Sequence, residues 1–302
     1  MDGRFLFTME CVMTASPSAS SLIPTFNPDL HWHVGIEQEF FLTRRGSPVP
    51  DSPAFLHALA RLHPPHSFVD AGSWRIELVS DPFAQEDVDA WTYEFSACQV
   101  EVRTQPHASL DPIHTDLHRR DIHGMEAARA IDTTLIRLEV APANMPMDHY
   151  RCERYDRLSK IIPPDVLLAA FRVAGTHFHI GMSCIQEAVE VHDALCAHLS
   201  EIAAMGDHSH GERLHLYHQV VSWAMPRALV PIVGTSPAYG SKQGWLDYLH
   251  TAGVDELRSC WDLVRITRHG TVELRVLGVG ENIDEILSWV ERVYSLLGRK
   301  IG

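Results

Sequence analysis

Polar and apolar residues alternate in several short stretches, and each stretch keeps its charged or metal-binding side chains on one face. The first is His31-Trp-His-Val-Gly-Ile-Glu-Gln-Glu-Phe-Phe-Leu42. Side chains of a strand point alternately to opposite faces. Glu37 and Glu39 therefore share one face, and Ile36, Gln38 and Phe40 the other. The same grammar returns in Gln99-Val-Glu-Val-Arg103, Thr176-His-Phe-His-Ile180 and Thr271-Val-Glu-Leu-Arg-Val276. There Glu101, the pair His177 and His179, and the pair Glu273 and Arg275 alternate with aliphatic residues. Four such strands predict a sheet backed by helices, with a cation and phosphate site on its polar face.

Further strands are predicted over Trp74–Ser80 and Thr134–Val140. Helical spacing begins at Asp111, read as an N-cap with Pro112 in the first position. A second helix follows Ser183, read as its cap, and a third spans His210–Met225, before Pro226. The last spans Asp284–Leu297, with Ile286, Leu287, Val290, Val293, Tyr294 and Leu297 inward and Gly298 as its C′ residue. Parallel strands covered on both faces read as continuous apolar runs, which these are not. The expected class is α+β: a mostly antiparallel sheet with helices on one face. From about Leu30 onward there is no linker, repeat or low-complexity tract. One catalytic domain is expected over 29–302, behind a flexible Ser/Pro/Ala-rich leader over 1–28.

Composition narrows the function classes. The net charge is −14, from 25 basic and 39 acidic residues. That opposes non-specific binding to nucleic acid or an anionic membrane, though a local Arg cluster with bound metal can still hold an anion. No stretch reaches 18 apolar residues, the length of a spanning helix. The six Cys are scattered with no C-x-x-C pair, so reduced thiols and a cytoplasmic location are expected. Six of the 20 His fall between His192 and His218 and read as solvated surface residues.

Carboxylates at i and i+2 on a strand lie about 6–7 Å apart, a spacing suited to two neighbouring metal ions. Oxygen-rich sites with a single His favour Mg²⁺ or Mn²⁺. Glu94 and Glu101 add carboxylates, and Arg275 beside Glu273 offers a cation to phosphate oxygens. Each piece has a plainer reading. Glu37 and Glu39 could form a solvated face, and Glu101 with Arg103, or Glu273 with Arg275, a same-face ion pair. His177 and His179 could be a sheet pair or a cupin-like iron site. Crowded carboxylates repel without metal, so Glu101→Gln and Glu273→Gln are expected to hold or raise the stability of the metal-free protein.

Six ordered motifs resemble one family. They are Gly35-Ile-Glu-Gln-Glu-Phe40, Glu94 followed by Gln99-Val-Glu-Val-Arg-Thr104, Arg154-Tyr155, Gly175-Thr-His-Phe-His-Ile-Gly181, Leu229-Val-Pro-Ile-Val-Gly-Thr-Ser-Pro237 and Thr271-Val-Glu-Leu-Arg-Val276. Together, across about Val34 to Val293, they resemble the type 2 glutamate–cysteine ligases, carboxylate–amine ligases of the glutamine synthetase superfamily. The resemblance implies a curved antiparallel sheet whose concave face holds ATP and Mg²⁺. It implies that Glu37, His177 and Glu273 hold the metal nearest the transferred phosphate, and Glu39, Glu94 and Glu101 the metal nearest the acid. His179, Arg265 and Arg275 would contact phosphates, with Arg265, Glu273 and Arg275 serving catalysis. Arg154, near the substrate carboxylate, and Glu101 would bind the acid. The implied reaction phosphorylates a carboxylic acid with ATP and lets an amine displace phosphate. A homo-oligomer is compatible with the sequence. After Pro237 the chain departs from the family, reading Ala238-Tyr-Gly-Ser-Lys-Gln-Gly-Trp-Leu without the usual Asp or the later Arg. Two rivals stay open: a non-catalytic nucleotide-binding relative, and a metal-dependent hydrolase or oxygenase built on His177 and His179.

Overall fold

The computed structural model describes residues 22–63, 67–70, 76–79, 90–225 and 237–302. Its strands are β1 (Val34–Arg44), β2 (Ser47–Pro48), β3 (Ser67–Asp70), β4 (Ile76–Val79), β5 (Ala90–Tyr93), β6 (Gln99–Arg103), β7 (Thr134–Ile136), β8 (Thr176–Gly181), β9 (Val264–Ile266) and β10 (Thr271–Leu274). Its helices are α1 (Ser52–Leu62), α2 (Leu110–Ala130), α3 (Glu153–Ile161), α4 (Pro164–Arg172), α5 (Ile185–Ala197), α6 (Leu199–Met205), α7 (Glu212–Ala224), α8 (Lys242–Ala252) and α9 (Ile283–Leu296). All strands join one sheet in the order β3-β4-β5-β6-β1-β8-β10-β9, with β2 and β7 also paired to β1. Every pairing is antiparallel, as the alternating patterns predict.

One face of the sheet is apolar and covered by helices. Ile36 lies opposite Phe178, and Val34 opposite Ile180. These pack in one buried cluster with Val189 and Leu195 of α5 and with Trp289, Val290 and Val293 of α9. Toward β5 and β6, Phe40, Trp91 and Val102 meet Phe55 and Leu59 of α1 and Ala127 of α2. Burial of these rows is the main force fixing the register, because a one-residue slip would send every apolar side chain to the polar face. Phe41 shares the face of Glu37 and Glu39, and it is buried with Cys98, Met145 and Phe171 in a cluster of its own. That cluster closes over the end of the polar face and helps to bury it.

Several boundaries differ from the sequence reading. Asp111 is not the N-cap of α2; extended Ser109 is, and Asp111 lies in the first turn. An earlier start lets Leu110 pack on the large core cluster, and an acid in the first turn still favours the helix dipole. Cys184, not Ser183, caps α5. Ser183 instead bonds Glu187 Oε2 through its amide at 2.9 Å and its hydroxyl at 2.6 Å. The strand read over Thr134–Val140 stops at Ile136, and Val140 forms only an isolated bridge to Val173. The strand ending in Val276 pairs only as far as Leu274. Gly298 does take the left-handed conformation just past α9, with φ 67°.

His192 is not a surface histidine. It is fully buried, stacked on Tyr239 at 3.9 Å and 2.8 Å from Asp193. Its position on the inward face of α5 leaves it no route to solvent. Most of the expected leader lies outside the described residues. From Leu22 its end packs on the core, and the Thr25 amide bonds the Arg268 carbonyl at 2.8 Å. Among the described residues, Cys98, Cys152, Cys184, Cys196 and Cys260 form no disulfide. No helix among the described residues is long and apolar enough to cross a membrane.

Candidate functional site

Three cross-strand rows build the polar face. Glu101 of β6 lies opposite Glu39 of β1. Arg103 lies opposite Glu37, which lies opposite His177 of β8. His179 lies opposite Glu273 of β10, which lies opposite Arg265 of β9. Directly opposed residues of an antiparallel pair are only about 4.5–5.5 Å apart at Cα, so these rows gather side chains from five strands.

Two groups of ligand atoms result. Glu37, His177 and Glu273 form one, and Glu39, Glu101 and His177 the other; in each, the ligand atoms lie within 4.8 Å of one another. His177 Nδ1 is 3.3 Å from Glu37 Oε2, and His177 Nε2 is 3.9 Å from Glu39 Oε1. The Gly175 amide donates to Glu39 Oε2 at 2.7 Å. Glu94 belongs to neither group among the described residues. It directly follows β5, half-buried, between Tyr93 and Phe95. Tyr155 packs on both of those rings, at 5.9 and 4.6 Å, and the Arg154 guanidinium lies 5.8 Å from the Tyr155 ring. Arg154 thus lies beside the aromatic cluster formed by the chain neighbours of Glu94. Leu229 to Ser236 of the fifth motif lie outside the described residues.

The charges sort by position. Burial first, and then the charge of Arg275, push the His177 imidazole down to about 4, so it is neutral at pH 7. Burial also acts on His179, yet Glu37 and Glu273 raise its pKa overall. Glu37 is buried too, but the charge of His179 and hydrogen bonds from both histidines hold it well below the usual carboxylate range. Burial pushes Glu39 upward, against the opposing charges of Arg275 and Arg213. Glu273 is wholly buried; the charges of Arg265 and Arg275 overcome that burial and hold its pKa down. Arg265 Nε donates to Glu273 Oε2 at 2.6 Å, and Arg275 Nη1 donates to Glu273 Oε1. The ion pairs admitted as plainer readings are therefore present: Glu273 with both arginines, and Glu101 with Arg103 Nε at 3.6 Å.

The donor chemistry fits a divalent cation. A metal-ligating imidazole must be neutral and a ligating carboxylate ionised, which is the state the surroundings impose on His177 and Glu37. The sequence reading missed Arg213 and Tyr217 of α7, which reach this site from behind. Arg213 is buried against the Arg275 and Val276 carbonyls, and the Tyr217 hydroxyl accepts from Arg275 Nε at 3.3 Å. One Arg and one Tyr, a turn apart on a helix, carry no sequence signal that separates them from a solvated face.

An alignment over 210 positions, covering 65% of this chain, is 28% identical to a Ruegeria pomeroyi protein named "Putative glutamate--cysteine ligase 2". The chain spans about half the length of that curated relative, 52%. The solved structure "Apo GmaS without ligand" matches with a TM-score of 0.39 at 13% identity, over 89% of this chain and 55% of that one. The family model for glutamate-cysteine ligase family 2 matches residues 33–299, nearly the whole chain, so this protein belongs to that family.

Proposed function

We propose that the chain is the catalytic domain of an ATP-dependent carboxylate–amine ligase, with glutamate and cysteine as the default acid and amine. The observation that carries the reading is the pair of ligand groups sharing His177 beside a carboxylate flanked by two arginines. Glu37, His177 and Glu273 would hold one Mg²⁺ or Mn²⁺, and Glu39 and Glu101 a second, with Glu94 approaching from the end of β5. Bound ATP and metal would supply phosphoryl transfer to the acid, giving an acyl phosphate that an amine can open.

The chain's own residues supply placement and charge. Arg265 is fixed by Glu273 and by the Cys260 carbonyl at 2.6 Å, which leaves the rest of its planar fork for phosphate oxygens. Arg275 is held between Glu273 and Tyr217 in the same way. His179, whose pKa Glu37 and Glu273 raise, would serve the phosphate side as a hydrogen-bond donor and not as a metal ligand. Arg154 would receive the substrate carboxylate. Burial of the polar face limits access of water, which would otherwise hydrolyse the activated acid.

The test is product analysis with the purified chain. ADP and phosphate should form only with Mg²⁺ or Mn²⁺ and a carboxylic acid, and hydroxylamine should trap the activated acid as a hydroxamate. Release of AMP and pyrophosphate would redirect the assignment to adenylation. Metal-dependent turnover without nucleotide would favour a hydrolase.

A further inference from the structure

We propose that Arg213 is a positioning residue that fixes both ends of the site at once, Glu39 through Gly175 and Arg275 through its main chain. The inference rests on the ligase reading for its functional consequence, but its geometry stands apart from it.

Arg213 leaves α7 one residue after the helix begins and is buried, only 4% exposed. Its Nε donates to the Ala174 carbonyl at 2.6 Å. Nη1 donates to the Val276 carbonyl at 3.1 Å, and Nη2 to the Arg275 carbonyl at 3.1 Å. These three acceptors lie just before β8 and just after β10. The ladder between the two strands ends at Leu274 opposite Phe178, and the next backbone bond, Thr176 amide to Leu277 carbonyl, is long at 3.4 Å. The guanidinium fork therefore takes over where strand pairing stops. A Lys ammonium keeps the charge but cannot reproduce a planar fork aimed at three divergent carbonyls.

Gly175 is the second link. A Cβ there would lie 2.1 Å from Arg213 Nη2 and 2.9 Å from its Cζ. Absence of a side chain is what lets the guanidinium press against this backbone. The same residue donates its amide to Glu39 Oε2 at 2.7 Å and accepts the Glu39 amide at 3.1 Å. One contact therefore connects Arg213 to a candidate ligand. One turn further along α7, the Tyr217 hydroxyl donates to the Trp261 carbonyl at 2.8 Å and accepts from Arg275 Nε, which braces Arg275 a second time. A single helix thus sets the distance between the carboxylate end and the arginine end of the site.

The experiment compares Arg213→Lys and Gly175→Ala with a control, Phe55→Leu, which trims the separate core beneath α1. Gly175→Ala disturbs the same contact from the other side, because its Cβ meets Arg213 Nη2 first; it serves if Arg213→Lys does not fold. The first readout needs no ligand: amide exchange at Gly175 and Arg275 should rise at least tenfold in either variant and stay unchanged in Phe55→Leu. The second is Mn²⁺ affinity of the nucleotide-free protein, which should fall at least tenfold, whereas the KM for ATP changes less than threefold. Unchanged exchange at Gly175 overturns the proposal, and so does Mn²⁺ affinity within twofold of the parent. A parent that binds no Mn²⁺ sinks the ligase reading alone, and exchange then decides the positioning role.

Discussion

The two ends of the polar face solve the same problem, buried carboxylates, in opposite ways. At the β1–β6 end Glu39 and Glu101 face each other across the ladder. Like charges so placed repel. Burial raises Glu39, and its Oε2 accepts from the Gly175 amide. At the β9–β10 end Glu273 is more deeply buried, yet both its oxygens are taken by guanidinium groups. The first end sets two facing carboxylates beside the Arg103 guanidinium, 3.6 Å from Glu101, whereas the second sets one carboxylate between two guanidinium groups. A face built this way suits cations at one side and anionic oxygens at the other, which is what a metal-bound phosphate and its acceptor require.

The largest expected effect tests that contrast without any ligand. Glu273→Gln strands two half-buried arginines against a buried position, and removing one partner of a buried ion pair typically costs about 3–5 kcal/mol. Glu39→Gln keeps an acceptor for the Gly175 amide and removes a repelled charge, so its stability should change by less than about 1 kcal/mol or rise. Urea unfolding in chelator reads both. Equal losses in the two variants would erase the distinction between the ends. Glu273 also departs from the view that removing a carboxylate here costs nothing. Its sequence context shows one arginine two residues away, but Arg265 arrives only through the β9 register.

Next in size is Arg275→Lys. Lys retains charge near Glu273 but loses the fork that Tyr217 and Glu273 orient. Turnover should fall by about tenfold or more while the KM for ATP moves less than threefold, since the fork matters most where phosphate charge develops. A change confined to the KM would make Arg275 a ground-state binding group.

A scaffold ion pair sharpens the comparison by showing what ordinary acid sensitivity looks like. Burial alone would raise Asp116, but His107 and Arg120 lower it to about 2 from the usual 3.8. A depressed carboxylate pKa stabilises the folded state above its unfolded pKa, and that stability is lost as pH falls through the folded value. The contribution is about 2 kcal/mol, lost between about pH 4 and pH 2. Asp116→Asn should remove that part of the pH dependence while sparing Mn²⁺ affinity. An unchanged acid limb would mean that Asp116 is not the group responsible.

Much of this was legible in the chain and some was not, for identifiable reasons. Period-2 alternation marked Glu37, Glu39, Glu101, His177, His179 and Glu273, because a strand declares its faces locally and the apolar partners Ile36, Phe178 and Val272 enforce them. The opposite pKa shifts of His177 and His179 were not legible. They depend on which charges the register places beside each ring. Arg213 and Tyr217 were invisible because their partners are backbone carbonyls distant in sequence. His192 read as surface because the burial of α5 is set by α8, α9 and Tyr239, not by its own pattern.

The smallest expected effect concerns the other face of β1. Gln38 lies between Glu37 and Glu39 in sequence but points into the apolar side, fully buried. Among the described residues, neither its amide nitrogen nor its amide oxygen has a hydrogen-bond partner. Thr176, its cross-strand partner on β8, has a buried hydroxyl in the same condition. Each such group loses its bonds to water on folding and regains none. Gln38→Leu replaces the amide with an apolar side chain of similar size in a face already lined by Ile36, Phe40 and Val102. Stability should rise by about 1 kcal/mol, because removing an unsatisfied buried group recovers its desolvation penalty. Mn²⁺ affinity should not change, since no ligand atom is touched. A loss of stability instead would show that the amide is satisfied by bound water. Lost Mn²⁺ affinity without lost stability would show that the two faces of β1 are coupled, and the contrast drawn between the two ends would then have to include the core beneath them.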